Sequence, residues 1–503
     1  MRPSKYQLAI YDEIRDGTCS ILINAVAGSG KTTTIVKAIE MIPQAKSIFF
    51  GAFNKSIAVE LQGRLPPHVH CRTLNSLGFS MLFRPGKPRI QVNSNKIKLL
   101  ISSIPSNKIT AIYGDELIKI ISICKAYGLI PNNSPKQGLI PDEFDCWQMF
   151  MDRFSITIDP CDKGNFIDMA RRILSMNNLT LDIIDFDDQL YLPFVLNRRS
   201  HRFDFVFIDE AQDMSPIQRQ IIKSILAENG RLVAVGDNYQ AIYGFRGADP
   251  SSMKEIAEEF NAKQLPLSIS YRCAKNVVTY AQTVMPYIEA NEDAIEGSIQ
   301  CLPIYHDKWF EKGDLIICRN SEPLLMLYFS LFSRGLSIRI LGKEIGEDLI
   351  RLIDKLKALE ILGPQGLVQK VYDYRQRVRD IYYGKDDIFL ESLNDKCDAL
   401  LCLAFSSKAK TIEMLKTSIR GIFSDKKHAD ITLCTIHKAK GLEADRVFIL
   451  DPDLIPSRHA RKEWELLQEK NLMYVAITRA KKELFFIRLI DFNANEVLKI
   501  SNG

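Results

Sequence analysis

The feature that most constrains this chain is a series of short, continuous apolar runs, each closed by a polar or glycine turn and followed by a helix-like pattern. The first half carries SILINA from Ser20, SIFFGA from Ser47, FDFVFIDE from Phe203 and RLVAVGD from Arg231. The second half repeats the theme with DLIICR from Asp314, SIRIL from Ser337, ITLCTIH from Ile431, RVFILD from Arg446 and LFFIRL from Leu484. A strand wetted on one face alternates apolar with polar residues. Runs apolar throughout suit strands buried on both faces, as in a parallel sheet covered by helices. The chain has 503 residues, more than the roughly 250–300 that one hydrophobic core ordinarily supports. The expected fold is therefore α/β, with two parallel-sheet domains.

Two stretches interrupt the alternation, one at 86–185 and one at 343–427. In the second, LIRLIDKLKALEIL from Leu349 carries apolar residues at helical spacing. Both read as mainly helical insertions. The first domain then comprises 1–85 and 186–262, and the second 263–342 and 428–503. The shorter insertion is expected to fold as a small helical subdomain. The alternative is that its helices cover an apolar face of the second domain.

Charge and cysteines exclude little but do exclude something. Lys and Arg number 66 against 61 Asp and Glu, a basic bias too weak to reveal a nucleic-acid binder by itself. Eleven cysteines are scattered with no C-x-x-C pair, which argues against a zinc ribbon or an iron–sulfur cluster and for reduced thiols. The N-terminal stretch MRPSKYQLAIYDEIRDG lacks the apolar segment of a signal peptide, and no run of about 18 apolar residues occurs. A cytoplasmic protein with no membrane partner is expected, nuclear if its host has a nucleus. Little sequence follows the last predicted strand, so no fused nuclease domain is expected.

Two motifs carry chemistry. SILINAVAGSGKTTTIVKAIEMI reads as strand, loop and helix. Gly28 and Gly30 let backbone N–H groups turn toward phosphate oxygens. Lys31 offers a point charge to the β- and γ-phosphates, and Thr32 a hydroxyl to Mg²⁺. The strict pattern wants glycine where this chain has Ala25. The second motif, FVFIDEAQD, puts Asp209 and Glu210 at the end of a buried strand, where open α/β sheets bind ligands. One carboxylate can hold Mg²⁺ and its neighbour can orient or deprotonate an attacking water. The bland alternative is an acidic helix start stabilised by the dipole; the phosphate loop upstream weighs against it.

With these and later motifs in order, the chain resembles superfamily 1 helicases of the UvrD/Rep/PcrA type. AVAGSGKT resembles the first motif of that family, where alanine at position 25 is normal. AFNKSIAVEL from Ala52, TLNSLG from Thr73, IDEAQD from Ile208 and VGDNYQAIYGFRGAD from Val235 resemble those that follow. So do SYRC from Ser270, TIHKAKGLEADRVFI from Thr435 and YVAITRAKKEL from Tyr474. DFDDQLYLP and FNKSIA look closest to phage-type and Fbh1-like members.

The resemblance implies two RecA-like motor domains, ATP and Mg²⁺ as cofactors, and single-stranded DNA and its junctions with duplex as partners. A nuclease or a replication or repair protein would be a further partner. It implies 3′-to-5′ movement with unwinding, driven by cleft closure. The alternatives are a translocase that strips proteins or powers a nuclease, and an ATP-dependent binding switch. ATP would be held by Gln7, Ala25, Val26, Ala27, Gly28, Ser29, Gly30, Lys31, Thr32, Thr33, Tyr271 and Glu443. Gln7 would read adenine, Tyr271 stack on it and Glu443 bind the ribose. Metal would be held by Thr32 and Asp209. Gln240 would sense the γ-phosphate, and Arg272 and Arg479 would stabilise the transferring phosphoryl group.

DNA contacts would come from Phe53, Asn54, Thr73, Asn75, Tyr243, Phe245 and His437. Tyr243 and Phe245 could instead be core aromatics, and His437 a polar strand-end residue. The chain departs from the family pattern at Asn75, where histidine is usual, at Phe245, where tryptophan is usual, and at Thr33, where some members place an arginine over adenine.

Overall fold

A computed structural model describes residues 2–83, 89–242, 251–302, 307–332, 336–356, 363–382, 387–407, 409–423 and 429–488. The chain forms two compact units, Met1–Ser268 and Ile269–Gly503. In the first, β1 (Ile21–Ala25), β2 (Ile48–Ala52), β3 (Val69–Thr73), β6 (Phe203–Ile208), β7 (Leu226–Gly236) and β8 (Lys263–Leu267) make a sheet ordered β3-β2-β6-β7-β1-β8. The short β4 (Gln91–Val92) and β5 (Ile183–Ile184) pair with each other instead. Every neighbour in the large sheet is parallel.

The continuous apolar runs are explained by where alternate side chains go. Ile21, Ile23, Ile48, Phe50, Phe205, Phe207, Val233 and Val235 enter a core with the helices Lys5–Asp16, Lys31–Ile39 and Lys55–Gln62. Leu22, Phe49, Val206, Ile208, Leu232 and Ala234 enter a second core with Leu74–Leu82, Pro216–Ile225 and Ser252–Glu259. Both faces are covered, so polar positions in the central strands would be stranded without partners.

The expected division at 262/263 is corrected by β8. Lys263–Leu267 runs parallel to β1, with Ile23 opposite Leu265, so the first sheet ends after residue 267. Its sequence, KQLPL, gave no apolar run because β8 is an edge strand with three exposed residues. The other unpredicted strands of the two six-stranded sheets, β3 and β11 (Ser298–Leu302), are also sheet edges.

The segment between β3 and β6 contains the first helical insertion, which has a core of its own. Trp147, Phe150, Phe166, Ile120, Ile173 and Tyr191 pack together, apart from both faces of the large sheet. Its entry and exit are clasped: β4 pairs with β5, and two buried lysines tie the same place together. Lys96 Nζ donates to the Asn177 and Thr180 carbonyls and to Asp188 at 2.7 Å. Lys125 reaches Asp185 at 2.6 Å and Asp188 at 2.8 Å. These are the acids of DFDDQLYLP. Each buried ammonium is matched by carboxylate and carbonyl oxygens, without which its burial would be costly. The exit helix Asp188–Val195 then lies so close to Leu74–Leu82 that a Cβ on Gly78 would sit 2.1 Å from the Gln189 carbonyl.

The second unit begins with a small pair, β9 (Ile269–Ser270) and β10 (Glu289–Ala290). Its main sheet joins β11 to β12 (Leu315–Cys318), β13 (Ile338–Ile340), β14 (Ile431–Thr435), β15 (Ala444–Leu450) and β16 (Ala480–Ile487), in the order β11-β16-β15-β12-β14-β13, all parallel.

Here the second helical stretch behaves differently from the first. Leu349, Ile353, Leu367, Val371, Cys397, Leu400, Leu415 and Ile419 share one continuous core with Ile316, Cys318, Ile340, Leu433, Phe448 and Leu450 of the sheet. Asp395, on the helix Asp387–Ser406, accepts from the Ser321 and Glu322 N–H groups at the end of β12. These helices are thus continuous with the core of the second unit: Asp387–Ser406 packs on the helix Glu322–Phe332, which itself lies against β12, β13 and β14. Replacing residues 343–423 with a Gly/Ser linker should expose the apolar residues of that shared core. The variant is expected to lose cooperative thermal unfolding or to aggregate; a sharp calorimetric transition at the parental temperature would contradict the shared core.

Candidate functional site

The loop after β1 is shaped by two left-handed glycines, Gly28 with φ 71° and Gly30 with φ 75°. A Cβ at Gly30 would have no atom within 4 Å, so backbone conformation and not crowding is what requires glycine there. Ala25, Val26, Ala27 and Ser29 are buried, and Val26 N–H donates to the Leu267 carbonyl of β8 at 3.1 Å. Lys31 opens the helix Lys31–Ile39, with Thr32 half-buried and Thr33 exposed.

Lys31 points toward the ends of β6 and β7. Its Nζ lies 3.1 Å from Glu210 Oε1. Burial alone would lower its pKa; Glu210, then Asp209 and Asp237, outweigh that and hold the ammonium above its ordinary value. Glu210 Oε2 accepts from Gln212 Nε2 at 2.5 Å, and Gln212 Oε1 accepts from Asp237 N–H at 3.0 Å. Asp237 Oδ2 accepts from Gln240 Nε2 at 2.6 Å. Burial pushes the Asp237 carboxyl up, against the pull of Lys31 and the Gln240 amide. Glu210 itself is left-handed, with φ 54°. For a non-glycine residue that costs on the order of 1–3 kcal/mol and persists where surroundings over-determine it. Here Lys31, Gln212 and the Asp209 carboxylate, which accepts the Glu210 N–H at 2.9 Å, supply that constraint.

Of the expected residues, Lys31, Asp209, Glu210 and Gln240 are therefore brought together. Gln212 and Asp237 complete the network and were not singled out from sequence, although both lie inside the quoted motifs IDEAQD and VGDNYQ. Gln7 joins from the helix Lys5–Asp16: its Nε2 donates to Thr34 Oγ1 at 3.0 Å. Ser29 Oγ is buried with no protein hydrogen-bond partner, and a phosphate oxygen at the loop would satisfy it. Three carboxylates face one ammonium, an excess of negative charge that suits a divalent cation. The donor set thus fits a Mg²⁺-nucleotide. Among the described residues no His/Cys/Asp/Glu group could hold a metal without such a ligand.

In the second unit a different group assembles. Arg272 Nε pairs with Glu443 at 2.6 Å and Lys481 with the same carboxylate at 2.7 Å. Burial would raise the Glu443 carboxyl; Lys481 and Arg272 outweigh it and hold it below its ordinary range. Tyr271, beside Arg272, is half-buried. Arg479 is only 1% exposed. It donates to the Val475 carbonyl at 2.9 Å, the Leu442 carbonyl at 3.1 Å and Thr478 Oγ1 at 3.2 Å. Its guanidinium thus caps the C-terminal turn of the helix Glu463–Ile477, where positive charge is favourable.

The expected DNA residues have local duties as well. Asn54 and Thr73 are N-caps, accepting from Ile57 and Ser76 N–H at 2.9 and 3.1 Å. Asn75 Nδ2 donates to the Phe186 carbonyl at 3.0 Å. Phe53 is 48% exposed and Phe186 61%; Phe186, in DFDDQLYLP, was not singled out from sequence. His437 is the second residue of a short helix after β14, Ile436–Ala439. Tyr243 and Phe245 lie outside the described residues.

A phosphate-shaped loop on the first strand of a parallel sheet, with an acidic strand end beside it, defines a P-loop α/β protein. Residues 11–261 match the family model of the UvrD/REP helicase N-terminal domain, and 406–489 that of the UvrD-like helicase C-terminal domain. The chain belongs to the UvrD/REP helicase family. It is 24% identical to F-box DNA helicase protein 1 of Schizosaccharomyces pombe, over 92% of this chain and 55% of that protein. It is 23% identical to F-box DNA helicase 1 of Gallus gallus, over 94% and 47%. The chain thus spans about half the length of these two relatives. A probable DNA helicase of Mycoplasma pneumoniae is 24% identical, over 95% of this chain and 83% of that protein.

The two arginines should separate on substitution. Arg479→Ala removes a buried guanidinium with three hydrogen bonds and leaves a cavity, and should cost about 2–4 kcal/mol of stability, seen as a lower denaturation midpoint. Arg272→Ala breaks a half-exposed pair and should cost under about 1 kcal/mol. Equal midpoints for the two variants would contradict the capping role of Arg479.

Proposed function

We propose that this chain is an ATP-dependent DNA motor that moves 3′ to 5′ on single strands and unwinds duplex. The observation that carries this reading is the network Lys31–Glu210–Gln212–Asp237–Gln240, set at the ends of three adjacent strands in a chain of this family. Lys31 neutralises phosphate, Thr32 and Asp209 hold Mg²⁺, and Glu210 orients or deprotonates the attacking water. Bound Mg²⁺ would add charge neutralisation at the phosphates. Gln240 senses the γ-phosphate and passes its state through Asp237 and Gln212 to Glu210.

Gln7 reads adenine, Tyr271 stacks on it and Glu443 binds ribose. Arg272 and Arg479 stabilise the transferring phosphoryl group, and their delivery is the step assigned to DNA binding and cleft closure. For Arg479 that requires exchanging its present carbonyl partners. Phe53, Asn54, Thr73, Asn75, Tyr243, Phe245 and His437 are assigned to the strand. Phe186 joins them, because its backbone is held by Asn75 and its exposed ring offers a stacking face to any base.

Glu210→Gln and Lys31→Ala should each reduce DNA-stimulated ATP hydrolysis at least about a hundredfold, the scale of a lost acid–base or electrostatic group. Glu210→Gln should still bind ATP. Parental turnover in Glu210→Gln would refute the base. Strand displacement on 3′-tailed but not 5′-tailed duplex checks the direction. The second reading is a translocase without unwinding of its own. It is supported by the helices at 343–423, whose buried residues are continuous with the core of the second unit. It predicts DNA-stimulated ATPase with no displacement on either substrate.

A further inference from the structure

Gln7 carries a side-chain amide that can present either of two faces, and its neighbours fix which one. Gln7 Oε1 accepts the Ser4 N–H at 3.0 Å. On the other side Nε2 donates to Thr34 Oγ1 at 3.0 Å. Thr34 is fully buried, and its hydroxyl donates to the Gly30 carbonyl at 3.0 Å. The single proton of that hydroxyl is thereby committed, so toward Gln7 the oxygen can only accept. Turning the amide over would set Oε1 against Oγ1, oxygen to oxygen, and Nε2 against the Ser4 N–H, donor to donor. Two independent contacts therefore hold one orientation.

We propose that Thr34 is a positioning residue that sets purine specificity by locking the Gln7 amide. The inference rests on the reading of Gln7 as the residue facing the base. In the locked orientation Oε1 keeps one lone pair and Nε2 one proton. Adenine matches this pair with its N6 donor and N7 acceptor, whereas guanine offers two acceptors, O6 and N7. Guanine leaves Oε1 against an acceptor in either orientation of the amide, so an amide that is not locked loses the match to adenine and can withdraw from guanine. The chain Gly30–Thr34–Gln7 also joins base reading to the left-handed glycine of the phosphate loop. This matters in a chain with Thr33, not arginine, at the position that some relatives of its type use to cover adenine, since the edge of the base must then carry more of the selection.

The test compares binding of ADP and GDP to the full chain with Mg²⁺, by competition against a fluorescent adenine nucleotide. The parent should prefer ADP. Thr34→Val removes the hydroxyl and leaves the Gly30 carbonyl with the residue-34 N–H, now at 2.9 Å. It should shrink the ADP-to-GDP preference about three- to tenfold, the effect of one hydrogen bond. Thr34→Ser should keep the parental ratio. If Thr34→Val fails to fold, Thr34→Ala against Thr34→Ser gives the same contrast. A parent without preference, or a folded Thr34→Val with the parental ratio, would overturn the proposal. Equal loss in Thr34→Ser would overturn it too, by assigning the effect to the methyl group. Binding is measured without DNA or turnover, so a failure of the motor reading would show separately, as ATPase unresponsive to DNA.

Discussion

A single ammonium inside the first unit organises the rest of its site. Lys31 is surrounded by Glu210, Asp209 and Asp237, carboxylates that would repel one another at this spacing without it. The arrangement requires three strand ends to stop at one level, which a parallel sheet provides because all its strands point the same way. It also requires a helix to begin where β1 ends, and Gly28 and Gly30 make that turn possible. The strained backbone at Glu210 is tolerable because its side chain and N–H are held from three directions. Sheet polarity, loop conformation and local strain all serve one charge cluster.

The two helical stretches look alike in sequence and differ in energetics. The first encloses its own aromatic core, has its entry and exit tied together by ion pairs, and meets the rest of the first unit through Asp188–Val195 against Leu74–Leu82 and Pro216–Ile225 and through Gly114–Tyr127 against Pro216–Ile225. The second has no such independence, since its buried leucines and isoleucines are continuous with those of the sheet. A body with its own core can move as a unit at the cost of a few contacts; helices that complete another core cannot leave without exposing it.

Several residues hold two positions at once. Asn54, Thr73 and Asn75 secure helix starts and a loop while carrying a proposed role toward DNA. Arg479 caps a helix while carrying one toward phosphate. Such residues respond to substitution through stability as well as activity, and the two effects have to be measured together.

By itself the sequence determined the fold class and the central strands, because burial on both faces leaves a continuous apolar signature. Every predicted run became a strand, whereas β3, β8 and β11 escaped notice as partly wetted sheet edges. It also determined the phosphate loop and the acidic pair, since both are local motifs in which neighbouring residues act together. Only the tertiary structure decided what depends on residues far apart in the chain. It placed Gln212 and Asp237 between Glu210 and Gln240, and set Thr34 against Gln7 across 27 positions. It moved the end of the first sheet to β8 and gave the helices at 343–423 to the second core. Helical periodicity states that a face will be buried; which surface buries it is settled only when the chain is packed.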